Sequence, residues 1–265
     1  MSVFRKDVLS GKVAFITGGG SGICKGITQM LMAHGARAVI TSRKQERLDE
    51  SSAELSEATG SECMGVACDV RQPETVEAAL DRAIDRFGGV DIVVNGAAGN
   101  FLAPAATLSY NAFRTVIEID TIGTYNVSKA AFDKHLKKNG GTILNISATL
   151  HYGATPLQTH ASAAKAAVDS VTRSLALEWG RMGIRVNGIA PGPIADTEGM
   201  SRLAPPGGAK EKMMKTIPIG RWGRIDEIAS VALFLCTDAA SLIHGETIVA
   251  DGGAWLGGSA MLLMG

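Results

Sequence analysis

The feature that most limits this chain is a glycine-dense junction between an apolar run and an amphipathic helix. Val13-Ala14-Phe15-Ile16-Thr17 runs into Gly18-Gly19-Gly20-Ser21-Gly22-Ile23-Cys24. Ile23, Ile27, Met30 and Leu31 then recur at helical spacing, and Gly35 stops the helix. Glycines let the backbone turn tightly and come close to a ligand. The helix that follows presents unpaired N–H groups and the positive end of its dipole. Strand, glycine turn and helix in this order form the opening of a dinucleotide-binding βαβ unit, with a pyrophosphate on the helix start. A βα turn without a ligand would not need so many glycines.

The same alternation continues along the chain. Strands are expected at Ala38–Thr41, Met64–Val70, Asp91–Val94, Thr142–Ile146, Ile184–Asn187 and Thr247–Ala250. Helices are expected at Gln45–Ala58, after Pro73, from Tyr110 to Lys138, from Ser162 to Trp179 and from Asp226 to Cys236. Pro73 suits a first helical turn, where its missing N–H does no harm. Residues 194–218 hold Gly, Pro and Met without a clear period and read as a flexible substrate flap. Strands spaced by helices require right-handed crossovers and a parallel sheet covered on both faces. The expected fold is therefore α/β: a single doubly wound Rossmann-type domain over residues 1–265. A chain of this length buries about three quarters of its unfolded surface and needs no disulfide or metal staple.

Charge narrows the function. The 26 basic and 26 acidic residues cancel, which argues against a nucleic-acid or membrane-surface protein. No apolar run approaches the ~18 residues of a membrane span. The opening Met1–Asp7 has no apolar core of signal-peptide length. Cys24, Cys63, Cys68 and Cys236 form no C-x-x-C pair and read as reduced core residues. His34, His135, His151 and His244 are far apart in sequence, so no metal is expected.

The second strand ends in Thr41-Ser42-Arg43-Lys44. A site for NAD usually carries an acid there to hold the ribose hydroxyls. Arg43 instead offers a guanidinium to a 2′-phosphate, which favours NADP(H).

These residues carry a resemblance that runs nearly end to end: the chain resembles the short-chain dehydrogenases/reductases. Thr17-Gly18-x-x-x-Gly22 resembles the family's cofactor turn, with Gly20, Ser21 and Ile23 completing it. Asp69-Val70 resembles its adenine contact. Asn95-Gly96-Ala97-Ala98 stands where the family writes Asn-Asn-Ala-Gly. Arg185-Val186-Asn187 leading to Pro191-Gly192-Pro193-Ile194 resembles its nicotinamide-side loop, with Thr197 placed for the cofactor amide or phosphates. Asp251-Gly252-Gly253 resembles its closing strand. The departures are informative. Lys165 of the family's Tyr-x-x-x-Lys helix is present, but Ala161 takes the tyrosine position and Ala148 the serine position. Asp120 takes the place of a helix asparagine. Cys24 replaces the last glycine of the turn, where it is expected to crowd helix against strand while leaving the phosphate-facing glycines in place.

This substitution pattern is similar to that of one branch, the peroxisomal-type 2,4-dienoyl-CoA reductases. Its residues here include Ala97-Ala98-Gly99-Asn100-Phe101-Leu102, Glu118-Ile119-Asp120-Thr121, Ser147-Ala148-Thr149-Leu150 and His160-Ala161-Ser162-Ala163-Ala164-Lys165. The resemblance implies hydride transfer from NADPH to the delta carbon of a 2,4-dienoyl thioester, then protonation at the alpha carbon to leave a 3-enoyl-CoA. No alcohol forms, so no phenol is needed at the carbonyl. Stabilisation of negative charge and a proton source are needed instead.

Lys165, expected on the nicotinamide ribose, and Asp120 are the implied catalytic pair. A carboxylate facing a lysine favours its charged form and cannot donate a proton itself. The expectation is that the two order a water that protonates the alpha carbon. The resemblance places Arg71 and Arg202 on the CoA phosphates, and Phe101, Ser109, Tyr110 and Asn111 along the acyl and pantetheine path. Arg71 has an alternative in pairing with an acid such as Glu74. His160 points about 100° away from Ala161 on a helix and reads as a wall or structural residue.

Two further readings stay open. One is reduction of another acyl-CoA or secondary-metabolite carbonyl, disfavoured by the missing tyrosine. The other is a dinucleotide-binding subunit or sensor without turnover. The family is usually a homotetramer, with the helices around Tyr110–Lys138 and Ser162–Trp179 as packing surfaces. Its branch is peroxisomal and usually ends in a Ser-Lys-Leu type tripeptide. This sequence ends Leu263-Met264-Gly265, so truncation, another import route or a cytosolic location are the alternatives, and the peroxisome is the family expectation.

Overall fold

The alternating pattern folds as one parallel sheet. A computed structural model describes residues 3–197 and 214–256. Among these, β1 (Val13–Thr17), β2 (Arg37–Ser42), β3 (Cys63–Ala67), β4 (Ile92–Asn95), β5 (Gly141–Ile146), β6 (Ile184–Pro191) and β7 (Thr247–Ala250) line up in the order β3-β2-β1-β4-β5-β6-β7. Every pairing is parallel. The order reverses between β1 and β4, which opens a crevice at their carboxyl ends.

The helices are α1 (Gly22–Ala33), α2 (Gln45–Thr59), α3 (Pro73–Phe87), α4 (Tyr110–Ile117), α5 (Gly123–Ala131), α6 (Lys137–Asn139), α7 (Thr159–Trp179) and α8 (Ile225–Cys236). They cover both faces of the sheet. Ala14 and Ile16 of β1 face a core with Ile27, Leu31 and Leu233 from α1 and α8. Val13 and Phe15 face a second core with Leu80, Val127 and Trp179 from α3, α5 and α7. Successive strand side chains point to opposite faces, so a sheet buried on both sides needs unbroken apolar runs. Gly60 and Gly88 end α2 and α3 in the left-handed conformation that a side chain would resist.

Several expected boundaries move. The third strand stops at Ala67 rather than Val70, because Asp69 and Val70 already turn toward α3. The sixth runs on to Pro191, paired with β7. The helix expected from Ser162 begins at Thr159. The long helix after Tyr110 is continuous in path but contains two π-helical turns, Glu118–Ile122 and Phe132–Leu136. No helix among the described residues is long and apolar enough to cross a membrane. The expected flap at 194–218 lies mostly outside the described residues. Its first part is held to the body, with Ile194 bridged to Gly223 and the N–H of Ala195 donating to the Gly223 carbonyl at 2.9 Å.

Candidate active site

The cofactor turn is built as its glycines require. Gly18 has φ +71° and Gly22 φ +52°, both in the left-handed region. A Cβ on Gly18 would press the Gly96 carbonyl oxygen at 3.1 Å, whereas one on Gly22 would meet nothing within 4 Å. Gly22 therefore leaves open space at the start of α1, where Ser21 is the N-cap and makes no side-chain cap. No acid stands in that first turn, so its N–H groups and dipole are left for an anion. Ser21 is exposed and Gly20 and Ile23 are half-buried beside it.

The carboxyl edge of the sheet carries a row of buried oxygens with no hydrogen-bond partner within the protein. They are Thr41 Oγ1 at the end of β2, Asn95 Oδ1 at the end of β4, Asn100 Oδ1 just beyond it and Ser147 Oγ directly after β5. Buried polar atoms are normally paired. Orphans gathered at the carboxyl ends of the strands, around an open helix start, fit a dinucleotide lying across the crevice.

The end of the crevice where the sequence leads one to expect the adenine shows an arrangement the sequence did not announce. Arg43 is exposed at the end of β2. Arg71 does not pair with Glu74; its guanidinium grips Asp69, with Nε on Oδ1 at 2.9 Å and Nη2 on Oδ2 at 2.5 Å. A two-residue turn brings them together, with the Arg71 N–H also donating to Asp69 Oδ1 at 3.1 Å. Hydrogen bonding from Arg71, helped by the charge of Arg43, holds the Asp69 carboxyl below the usual carboxylate range. The expected adenine contact and the first expected CoA contact are thus one ion pair.

At the opposite end of the crevice stands the second pair. Lys165 Nζ lies 3.0 Å from Asp120 Oδ2 and donates to the Ile146 carbonyl at 2.9 Å. Asp120 is 1% exposed and Lys165 8%. Asp120 Oδ1 accepts the Gly99 N–H at 2.7 Å, which ties the loop after β4 to the pair. Asp120 sits in the π-helical turn between α4 and α5, not in regular helix. Such turns re-aim a side chain within a helix and are frequent at functional sites. Ala161 is buried beside Lys165, and Ala148 is extended after β5, so neither offers a hydroxyl.

The remaining expected residues are distributed as follows. Pro191 and Ile194 are buried, and a Cβ on Gly192 would collide with Asp251 at 2.5 Å. Thr197 donates its hydroxyl to the Ile194 carbonyl at 3.0 Å. Phe101 is partly exposed and stacks on His160. Ser109 caps α4 by accepting the Ala112 N–H at 3.1 Å, and Tyr110 and Asn111 are exposed on its first turn. Arg202 lies outside the described residues. The sequence missed the Asp69–Arg71 pairing and the unpaired imidazole of His160. The two-residue spacing of an acid and a base after β3 was the available signal for the first.

Known proteins resemble this chain over most of its length. A family model described as Enoyl-(Acyl carrier protein) reductase matches residues 18–254. The chain is 52% identical over 254 residues to the peroxisomal 2,4-dienoyl-CoA reductase [(3E)-enoyl-CoA-producing] of Danio rerio, covering 96% of this chain and 85% of that one. It is 49% identical to the enzyme of the same name from Rattus norvegicus, covering 96% and 87%. Among solved structures, a gluconate 5-dehydrogenase from Burkholderia cenocepacia J2315 in complex with NADP and tartrate superposes with a TM-score of 0.89 at 30% identity, covering 94% of this chain and 97% of that one.

Proposed function

The chain belongs to the short-chain dehydrogenase/reductase family, and from that premise we propose that it is an NADPH-dependent 2,4-dienoyl-CoA reductase that forms a 3-enoyl-CoA in the oxidation of unsaturated fatty acids. The observation that carries the reading is the buried Asp120–Lys165 pair beside two alanines where the family places its serine and tyrosine. A carbonyl reductase must protonate an alkoxide, and neither Ala148 nor Ala161 can do so. Conjugate reduction has no such need.

When bound, a nicotinamide dinucleotide supplies the hydride. Gly18, Gly20, Ser21, Gly22 and Ile23 would hold its pyrophosphate, Arg43 a 2′-phosphate, Asp69 the adenine, and Pro191, Gly192, Ile194, Thr197 and Lys165 the nicotinamide end. Lys165 places positive charge where negative charge gathers on the substrate. Asp120 fixes the ammonium through Oδ2 and the loop after β4 through Oδ1, and its remaining lone pairs can hold a water. That water protonates the alpha carbon, and the hydroxide left beside the Lys165 ammonium takes a proton back from solvent. Arg71 and Arg202 meet the CoA phosphates, and Phe101, Ser109, Tyr110 and Asn111 border the acyl and pantetheine path.

A homotetramer and a peroxisomal location complete the reading. Support for self-association is a hollow of ≈ 310 Å³ beside α5 and α7, where Tyr125, Phe132, Val171, Leu175 and Trp179 alternate with Lys129, Ser170, Ser174 and Glu178. Support for the location is that the relatives from Danio rerio and Rattus norvegicus are named as peroxisomal enzymes. The deciding assay follows loss of NADPH absorbance with a 2,4-dienoyl-CoA, run beside a 3-oxoacyl-CoA. Oxidation with the first alone is expected. Oxidation with the second alone, or NADPH binding without turnover on either, would overturn the proposal.

A further inference from the structure

One side chain at the proposed site has no use in the chemistry above. His160 is the second residue of α7, next to Ala161, and is fully buried. Neither of its ring nitrogens makes a well-formed hydrogen bond within the protein, and the Phe101 backbone offers only a weak one. His34, His151 and His244 each engage at least one ring nitrogen, at 2.8, 2.9 and 2.8 Å. Burial holds the His160 imidazole below its ordinary range; the Phe101 backbone and the charge of Asp120 pull the other way and lose. The neutral ring that burial favours carries one N–H donor and one acceptor, neither in a well-formed hydrogen bond. A buried pair of orphan polar atoms is costly and is retained where something else repays it.

What covers the imidazole is Phe101. The two rings stack with centroids 4.2 Å apart and planes 21° off parallel. The loop carrying Phe101 is pinned on both sides of it. The Gly99 N–H donates to Asp120 at 2.7 Å, and the Ala103 N–H donates to the Leu157 carbonyl at 2.9 Å. Leu157 holds a left-handed φ of +64°, unusual without glycine, just before α7 begins. Phe101 stands at the crest between these anchors and is 36% exposed.

The reaction calls for a hydrogen-bond donor at one atom. Conjugate hydride addition moves charge onto the thioester oxygen, and the family's usual hydroxyl donors are Ala148 and Ala161 here. The Lys165 ammonium already serves Asp120 and the Ile146 carbonyl. We propose that His160 supplies such a donor: Phe101 swings off the imidazole, the dienoyl thioester approaches in the plane of the ring rather than on its face, and a ring N–H of His160 donates to the thioester oxygen. This rests on the reductase reading above. No proton is transferred at that oxygen; the hydrogen bond strengthens as charge develops, which is how a fixed donor accelerates such a step.

Two substitutions test it. His160→Phe keeps the stacking surface and removes both nitrogens; His160→Gln restores an N–H donor. With 2,4-dienoyl-CoA and NADPH, turnover is expected to fall roughly 100- to 1000-fold in H160F, with NADPH affinity unchanged, and to recover in part in H160Q. The melting temperature of H160F should equal or exceed that of the wild type, because orphan nitrogens are gone from the core. In complexes with carbonyl-labelled hexanoyl-CoA, which has no double bond to reduce, the thioester stretch should be lowered in the wild type and not in H160F. Unchanged turnover in H160F, or one carbonyl frequency in both proteins, overturns the proposal. So does a lowered melting temperature with lost turnover, the signature of a structural brace. Wild-type protein inactive on dienoyl-CoA would instead bring down the reductase reading itself, and this proposal with it.

Discussion

The sulfur of Cys24 fills the space that a side chain at position 96 would occupy: a Cβ on Gly96 would stand 2.0 Å from Sγ. The cysteine that replaces the last glycine of the cofactor turn therefore does not force helix and strand apart. The bare backbone of Gly96 absorbs it. Burial pushes the Cys24 thiol up to about 12, so it stays protonated and inert. Gly96→Ala should destabilise the protein by ~1–3 kcal/mol through overpacking. Adding Cys24→Gly should recover more than half of that loss, the rest being contact with the Thr17 carbonyl at 2.9 Å. Urea unfolding of the two single variants and the double variant measures the coupling. Strictly additive effects would refute it.

Asp120→Asn keeps the shape of the side chain and removes its charge. Turnover should drop by roughly 10²- to 10⁴-fold if the carboxylate orders the proton-donating water, with NADPH affinity retained. Stopped-flow single turnovers and a separate fluorescence titration of NADPH distinguish the two quantities. Undiminished turnover at unchanged affinity would remove Asp120 from the mechanism. Loss of NADPH binding in Asp120→Ala would mark it as structural.

Arg43 should set the preference between the two nicotinamide dinucleotides. Hydrogen bonds to charged groups are worth about 1.5–3 kcal/mol, so Arg43→Ala should weaken NADPH roughly ten- to a hundredfold. NADH affinity should stay the same, since it has no 2′-phosphate. Equal losses for both cofactors would show that Arg43 does not read the phosphate.

Acid stability should reflect the start of α8. Glu227 accepts from both terminal nitrogens of Arg221, at 2.8 and 2.6 Å, and from the Arg224 N–H at 2.8 Å. These contacts, Arg221 first, bring its carboxyl down to about 2 from an ordinary 4.5. The unfolded chain takes up this proton near 4.5 and the folded chain only near 2. The stabilisation is therefore complete above pH 4.5 and lost as pH falls toward 2. The group is a third exposed, so screening keeps the effect below ~1 kcal/mol. Glu227→Gln should flatten the stability profile in that window, read from urea midpoints between pH 5 and 2.5. A wild-type slope in the variant would exclude this pair as its source.

Much of this protein is local in origin and could be read from the chain. The apolar run Val13–Thr17, the glycines 18–22 and the period of α1 specify a strand, a turn and a helix because each depends on neighbours a few residues away. The absence of hydroxyls at Ala148 and Ala161 is likewise a fact of sequence. What tertiary structure decided are relationships between distant or differently curved segments. Asp120 faces Lys165 across 44 intervening positions only because a π-helical turn redirects it. Gly96 can host the Cys24 sulfur only because the end of β4 lies against the start of α1. Phe101 can cover His160 only because backbone hydrogen bonds from Gly99 and Ala103 hold its loop over α7. Periodicity fixes which face a residue takes, while the partner it meets there depends on packing of the whole chain, where close contacts and buried charge are settled together.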